Sequence, residues 1–174
     1  MRAHPDWRLL RPCAVLLLAL LAASGPAGGA SGFKTWEIHR PAGVSRSSLA
    51  FRLVQDQPGP GTLKLQGADG KPVILSPEAI LTQEDITKVE VIEVPQWREN
   101  VSVQYAIYLY FKPDAAQRFK QFTLDHMGNL LAVVIDGNVF MQVAITSPIE
   151  SPAMIEGSYY TLAGATRVAE QLAP

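Results

Sequence analysis

Residues 130–144 read LLAVVIDGNVFMQVA. The run from Leu130 to Ile135 is continuously apolar, the pattern of a strand covered on both faces. Asp136-Gly137-Asn138 is a tight-turn signal, and Val139 to Thr146 leads back out of it. The segment is expected to be a β-hairpin.

Working upstream, Val101 to Phe111 alternates strictly. Val101, Val103, Tyr105, Ile107, Leu109 and Phe111 are interleaved with Ser102, Gln104, Ala106, Tyr108 and Tyr110. Period two predicts a half-buried strand. Pro113 is tolerated in a first helical turn and Asp114 suits the positive end of the helix dipole. Ala115, Phe119, Phe122 and His126 then recur at helical spacing, with Gly128 as the stop. Further upstream, KVEVIEV (88–94) is β-branched and strand-like, Leu49 to Val54 is a short strand and Val73 to Leu75 another. The stretch 56–70, rich in proline and glycine, is a loop between short extended pieces, and Ser76-Pro77-Glu78 is expected to cap a single helical turn. Downstream, Ala153 to Ser158 is a further strand, and Thr161 N-caps a last helix with Ala165, Val168, Ala169 and Leu172 on its apolar face. The expected fold class is therefore α+β, an antiparallel sheet with two main helices packed on one face.

The N-terminus belongs to a different regime. Arg2, Arg8 and Arg11 precede an apolar run, Cys13 to Ala23, and then the small residues SGPAGGA (24–30). That is the order of a secretory signal peptide, with cleavage expected after Ala27 or Ala30. Retention as an anchor is the alternative, because a span needs about 20 apolar residues and the small residues lengthen this run. The expected organisation is a signal peptide over 1–30, an irregular lead-in over 31–47 on which Trp36 and Ile38 dock, and one domain over 48–174.

From Ser31 onward there are 12 Lys+Arg and 15 Asp+Glu, a formal charge of −3, and no polybasic patch. Nucleic acid and anionic lipid are therefore not expected partners, and membrane contact is expected only if the leader is retained. The single cysteine, Cys13, lies in the leader, so no disulfide, thiol nucleophile or cysteine metal site is expected in the domain.

A serine nucleophile needs a base and an orienting acid, and the domain offers His39 and His126, neither in a recognisable motif. Ser158 in EGSYY lacks the nucleophile-elbow pattern. Glu90 and Glu93 have opposite parity on a strand, so they do not form a carboxylate pair. The glycines at 59, 61, 67 and 70 lack the helix that a phosphate loop requires. Asn100-Val101-Ser102 matches a glycosylation acceptor by spacing alone and is read as a chance match. No catalytic residue, metal or cofactor is expected. What remains is aromatic: if the apolar parity of 101–111 faces the helices, the other sheet face carries Tyr108, Tyr110 and, from the hairpin, Phe140 beside Gln142 and Ala144. Clustered aromatics of this kind mark an interaction surface, unless residues 49 to 94 cover them.

The order and wording of the segments resemble the first periplasmic domain of SecD, the membrane component that assists Sec-dependent export, and especially its head subdomain. The matching stretches are LAFRLV (49–54), ILTQEDI (80–86), YLYFKPDAAQRFKQFT (108–123), GNLLAVVIDGNVF (128–140), ITSPI (145–149) and IEGSYYTLAGATRVAEQL (155–172). The last helix departs from the family in having Leu162, Ala163 and Gly164 after Thr161 in place of acidic residues, which removes a capping box. The resemblance implies a periplasmic domain that acts by binding, in contact with translocating or unfolded polypeptide or with an export complex. A structural or assembly module for another envelope complex is the alternative, since fold does not fix function.

Overall fold

The computed structural model describes residues 34–67, 69–94, 104–159 and 161–174. The leader over 1–30, Val101, Val103 and the Asn100-Val101-Ser102 acceptor lie outside the described residues. In chain order the elements are β1 (Thr35–Ile38), β2 (Leu49–Leu53), β3 (Leu63–Gln66), β4 (Pro72–Leu75), β5 (Leu81–Thr82), a 3-10 turn (Gln83–Asp85), β6 (Ile86–Val94), β7 (Gln104–Phe111), α1 (Pro113–Asp125), β8 (Leu130–Ile135), β9 (Asn138–Ala144), β10 (Ala153–Tyr159) and α2 (Leu162–Leu172).

The chain is α+β and antiparallel, as expected, but the strands divide between two four-stranded sheets. The first has the order β1-β6-β7-β10 and the second β5-β2-β8-β9, with β3 and β4 pairing as a separate ribbon. The strand β8 shows why two layers are needed. Leu131, Val133 and Ile135 enter the main core, whereas Ala132 and Val134 on the opposite face join Val73, Leu75 and Val139 in a second core beneath the ribbon. A strand without a polar face is stable only when both faces are covered.

The hairpin forms where the sequence placed it. Ile135 stands opposite Asn138, and the two residues between them, Asp136 and Gly137, have φ of 47° and 77°. Two left-handed residues make the turn that matches strand twist, which is why Asp-Gly serves here. The Asp136 carboxylate also accepts hydrogen bonds from Ser47 Oγ at 2.9 Å and from the Ser48 N–H at 2.8 Å, tying the turn to the start of β2.

The main core lies against the inner faces of both sheets and takes side chains from both helices. Phe51 of β2, Phe111 of β7 and Phe119 of α1 meet edge to face, with ring centroids 5.3–5.9 Å apart, so one helical residue joins the two sheets. The helix α1 starts with Pro113 at its first position and stops before Gly128, whose φ is 86°. Its fully buried residues are Ala115, Phe119 and Thr123, while Phe122 stays half-buried. Thr123 is accommodated because its hydroxyl donates to the Phe119 carbonyl and accepts from the Ile149 N–H. The helix α2 packs on the first sheet through Ala165, Ala169 and Leu172, with Thr161 Oγ1 accepting from the Gly164 N–H as its N-cap.

Two expectations need correction. The lead-in is not wholly irregular, since Thr35–Ile38 forms β1 and pairs with β6 from Thr35↔Ile92 to Ile38↔Val89. A four-residue strand carries too little periodicity to be read locally, and this one exists because β6 presents an edge. Ser76-Pro77-Glu78 is not a helical turn. The Ser76 hydroxyl instead donates to the Glu78 carbonyl and accepts from the Leu53 N–H. The helical turn comes seven residues later, at Gln83–Asp85, where the Thr82 hydroxyl accepts from the Glu84 N–H and the Asp85 carboxylate accepts from the Thr82 N–H.

Candidate functional site

Alternation along β6 and β7 separates two faces of the first sheet. Val89 and Val91, with Ile107 and Leu109, point into the main core and are fully buried. Lys88, Glu90, Ile92, Tyr108 and Tyr110 take the opposite parity, are half-buried, and belong to neither core. Of residues 49–94, the alternative cover for this face, strands β2 to β5 go into the second sheet and its ribbon and β6 is itself a strand of the first sheet.

Register sets the neighbours on this outer face. Glu37 of β1 stands opposite Glu90 of β6, Glu90 opposite Tyr108 of β7, and Tyr108 opposite Met154 of β10, so one row crosses all four strands. In the adjacent row Lys88 stands opposite Tyr110. Tyr110 Oη donates to Glu90 Oε2 at 2.6 Å, and Lys88 Nζ donates to Glu90 Oε1 at 2.8 Å. The same ammonium lies 3.9 Å from the centroid of the Tyr110 ring. Partial burial, followed by the hydrogen bond to Glu90 and the negative charge around it, holds the Tyr110 phenol well above the ordinary tyrosine range. The face is thus an aromatic and apolar surface with an ordered acid–lysine pair set into it.

Phe140 is not on this surface. It sits on β9, in the second sheet, and packs against the main core. The pairing of β8 with β9 shifts between Val133↔Met141 and Val134↔Val139, so Phe140 is an extra residue on the outer strand. Such a bulge breaks the alternation, and Phe140 joins Met141 and Val143 at the main core instead of aligning with Gln142 and Ala144. Strict period two along 139–146 could not reveal it. Glu37, Lys88, Glu90 and Ile92, by contrast, are partners of the tyrosines that were missed. The parity of KVEVIEV separates Lys88, Glu90 and Ile92 from Val89 and Val91, but only register brings them beside Tyr108 and Tyr110.

A concavity of about 440 Å³ opens between α1 and the segment 76–80, walled by Leu53, Pro77, Ile80, Arg118, Phe122 and His126. His126 occupies the C-cap of α1, stacked on Phe122 at 4.0 Å, with Nδ1 2.8 Å from the Phe122 carbonyl oxygen. That contact requires Nδ1 to donate, which closes the helix end and leaves Nε2 as an acceptor. Arg118 is held by Asp114 at 2.8 Å and by Asp85 at 3.1 Å. Ser76 also lines the groove, with its hydroxyl engaged by the Leu53 N–H and the Glu78 carbonyl. His39 stands exposed, 3.6 Å from Glu37. Among the described residues no group of three or more His, Cys, Asp or Glu is placed to hold a metal ion. None of their helices is long and apolar enough to cross a membrane.

Antiparallel sheets packed with two helices define the class: an antiparallel α+β domain. Residues 61–173 match the family described as SecDF, P1 head subdomain, and the chain belongs to that family. Its fold is similar to a solved structure of the membrane component SecDF that enhances protein export, with TM-score 0.56 and 23% identity, covering 74% of this chain and 63% of that one. It is also similar to SecDF in its super-membrane-facing form, with TM-score 0.55 and 23% identity, covering 74% of this chain and 19% of that one. The chain thus spans less than two thirds of the length of either relative. No curated protein sequence matches it.

Proposed function

We propose that this domain is a non-enzymatic protein-export accessory on the periplasmic side of the inner membrane, and that it contacts translocating or unfolded polypeptide through the outer face of its first sheet. The observation that carries this reading is the row Glu37, Glu90, Tyr108 and Met154 with Tyr110 beside it, an aromatic surface on the side of the sheet away from α2. Tyrosine suits such a task because its ring offers apolar area to any sequence and its hydroxyl tolerates water. Family membership supports the export context.

The test is the affinity of the full chain for labelled extended apolar peptides, read by fluorescence anisotropy. The double variant Tyr108→Ser with Tyr110→Ser, verified as folded by circular dichroism, is expected to lose about tenfold in affinity, as loss of two aromatic contacts implies. Equal affinities in the two proteins would sink the reading. Crosslinking in cells from the Tyr108 position separates partners: exported chains or Sec components support an export accessory, whereas one unrelated envelope protein supports an assembly module.

A further inference from the structure

We infer that the outer face of the first sheet prefers polypeptide segments carrying lysine or arginine near an apolar residue, a selectivity that rests on the polypeptide-binding reading above. The first ground is register. Glu37 and Glu90 stand directly opposite each other on β1 and β6, an arrangement in which like charges are neighbours and destabilise the pair. Among the described residues only one of them is compensated by a lysine or arginine. Both oxygens of Glu90 are engaged, by Lys88 and Tyr110, while Glu37 has His39 at 3.6 Å with both side chains largely exposed. The Lys34–Glu93 pair at the end of the same sheet, 3.8 Å apart, is self-compensating. The face therefore carries an excess negative charge at Glu37.

The second ground is that the same face already holds one ammonium in the proposed manner. Lys88 Nζ rests between the Glu90 carboxylate and the ring of Tyr110. An incoming basic side chain meets an analogous set one row over, with Glu37 and Glu90 as carboxylates, Tyr108 as the aromatic neighbour and Ile92 as an apolar surface for its stem. Strands lie about 4.8 Å apart, so the Glu37–Glu90 position and the Tyr108–Met154 position are separated by roughly 10 Å, or about three residues of extended chain. Side chains two or four positions apart share one face of an extended chain, so a basic residue followed two or four positions later by an apolar one bridges this span.

Three peptides test this with the full chain. They share an apolar sequence and carry lysine, glutamine or glutamate at the same two positions. The lysine peptide is expected to bind about tenfold more tightly than the glutamate peptide at low ionic strength, as two weak surface charge contacts imply, and the gap should shrink in high salt. Glu37→Gln should narrow the gap, whereas Glu170→Gln on α2 should leave it in place. If all three peptides bind equally, the selectivity is wrong and the polypeptide-binding reading stands. If none binds, that reading has failed and the selectivity with it.

Discussion

Phe119 is one helical turn from Ala115 and one from Thr123, and it touches both Phe51 and Phe111. Removing its ring takes away the contact that joins α1 to both sheets and leaves a void that rigid strands cannot fill. Phe119→Ala is expected to lower unfolding free energy by about 3–5 kcal/mol in urea titration. Tyr110 governs a different property. Its phenol titrates above the ordinary value of 10.0 in the folded chain, so folding favours the neutral form. The associated stability is complete below that ordinary value and is lost as pH rises toward the elevated one. Urea midpoints measured between about pH 9 and pH 11 should therefore fall more steeply in the native protein than in Tyr110→Phe. Parallel slopes would show that burial and Glu90 together do not hold the phenol above its ordinary range.

Thr161 illustrates how an element survives the loss of part of its start signal. Leu162, Ala163 and Gly164 remove the acidic half of a capping box, yet Thr161 Oγ1 still accepts from the Gly164 N–H. The helix α2 then depends on a single side-chain cap, and Thr161→Ala is expected to cost about 1 kcal/mol by thermal or urea unfolding. The hairpin depends on backbone freedom. Gly137 has a φ of 77° with nothing within 4 Å of an added Cβ, so any penalty for Gly137→Ala comes from conformation and not from crowding. About 1–2 kcal/mol is expected, and an unchanged midpoint would mean that the turn relaxes to another type.

At the scale of the molecule, the ribbon β3–β4 is expected to unfold with everything else. Leu75 is fully buried in the second core with Ala132 and Val134. The other face of β8, which carries Ala132 and Val134, supplies Leu131, Val133 and Ile135 to the main core. Backbone bonds reinforce the link, with the Gln55 N–H donating to the Ile74 carbonyl and the Ser76 N–H to the Leu53 carbonyl, each at 2.8 Å. Leu75→Ala should therefore shift one cooperative transition by about 2–5 kcal/mol. An early separate loss of amide protection confined to 63–75 would show that the ribbon is an independent unit.

Local pattern was enough for much of this. Period two in 104–111, the polar-free run of β8, Asp-Gly at its end, Pro113 and Thr161 at the starts of the two helices, and the alternation of Lys88 and Glu90 with Val89 and Val91 are properties of neighbours in sequence. Backbone sterics and burial act on them directly, so the hairpin, both helices, the α+β class and the aromatic parity of Tyr108 and Tyr110 were legible without a structure. Pairing across long separations was not. That β1 exists, that the strands divide into two sheets, that Glu37 and Glu90 share a row with Tyr108, and that a bulge turns Phe140 toward the core all depend on register. Register is decided by which strands bury one another's faces, and that free energy belongs to the assembled pair of sheets and to no single segment.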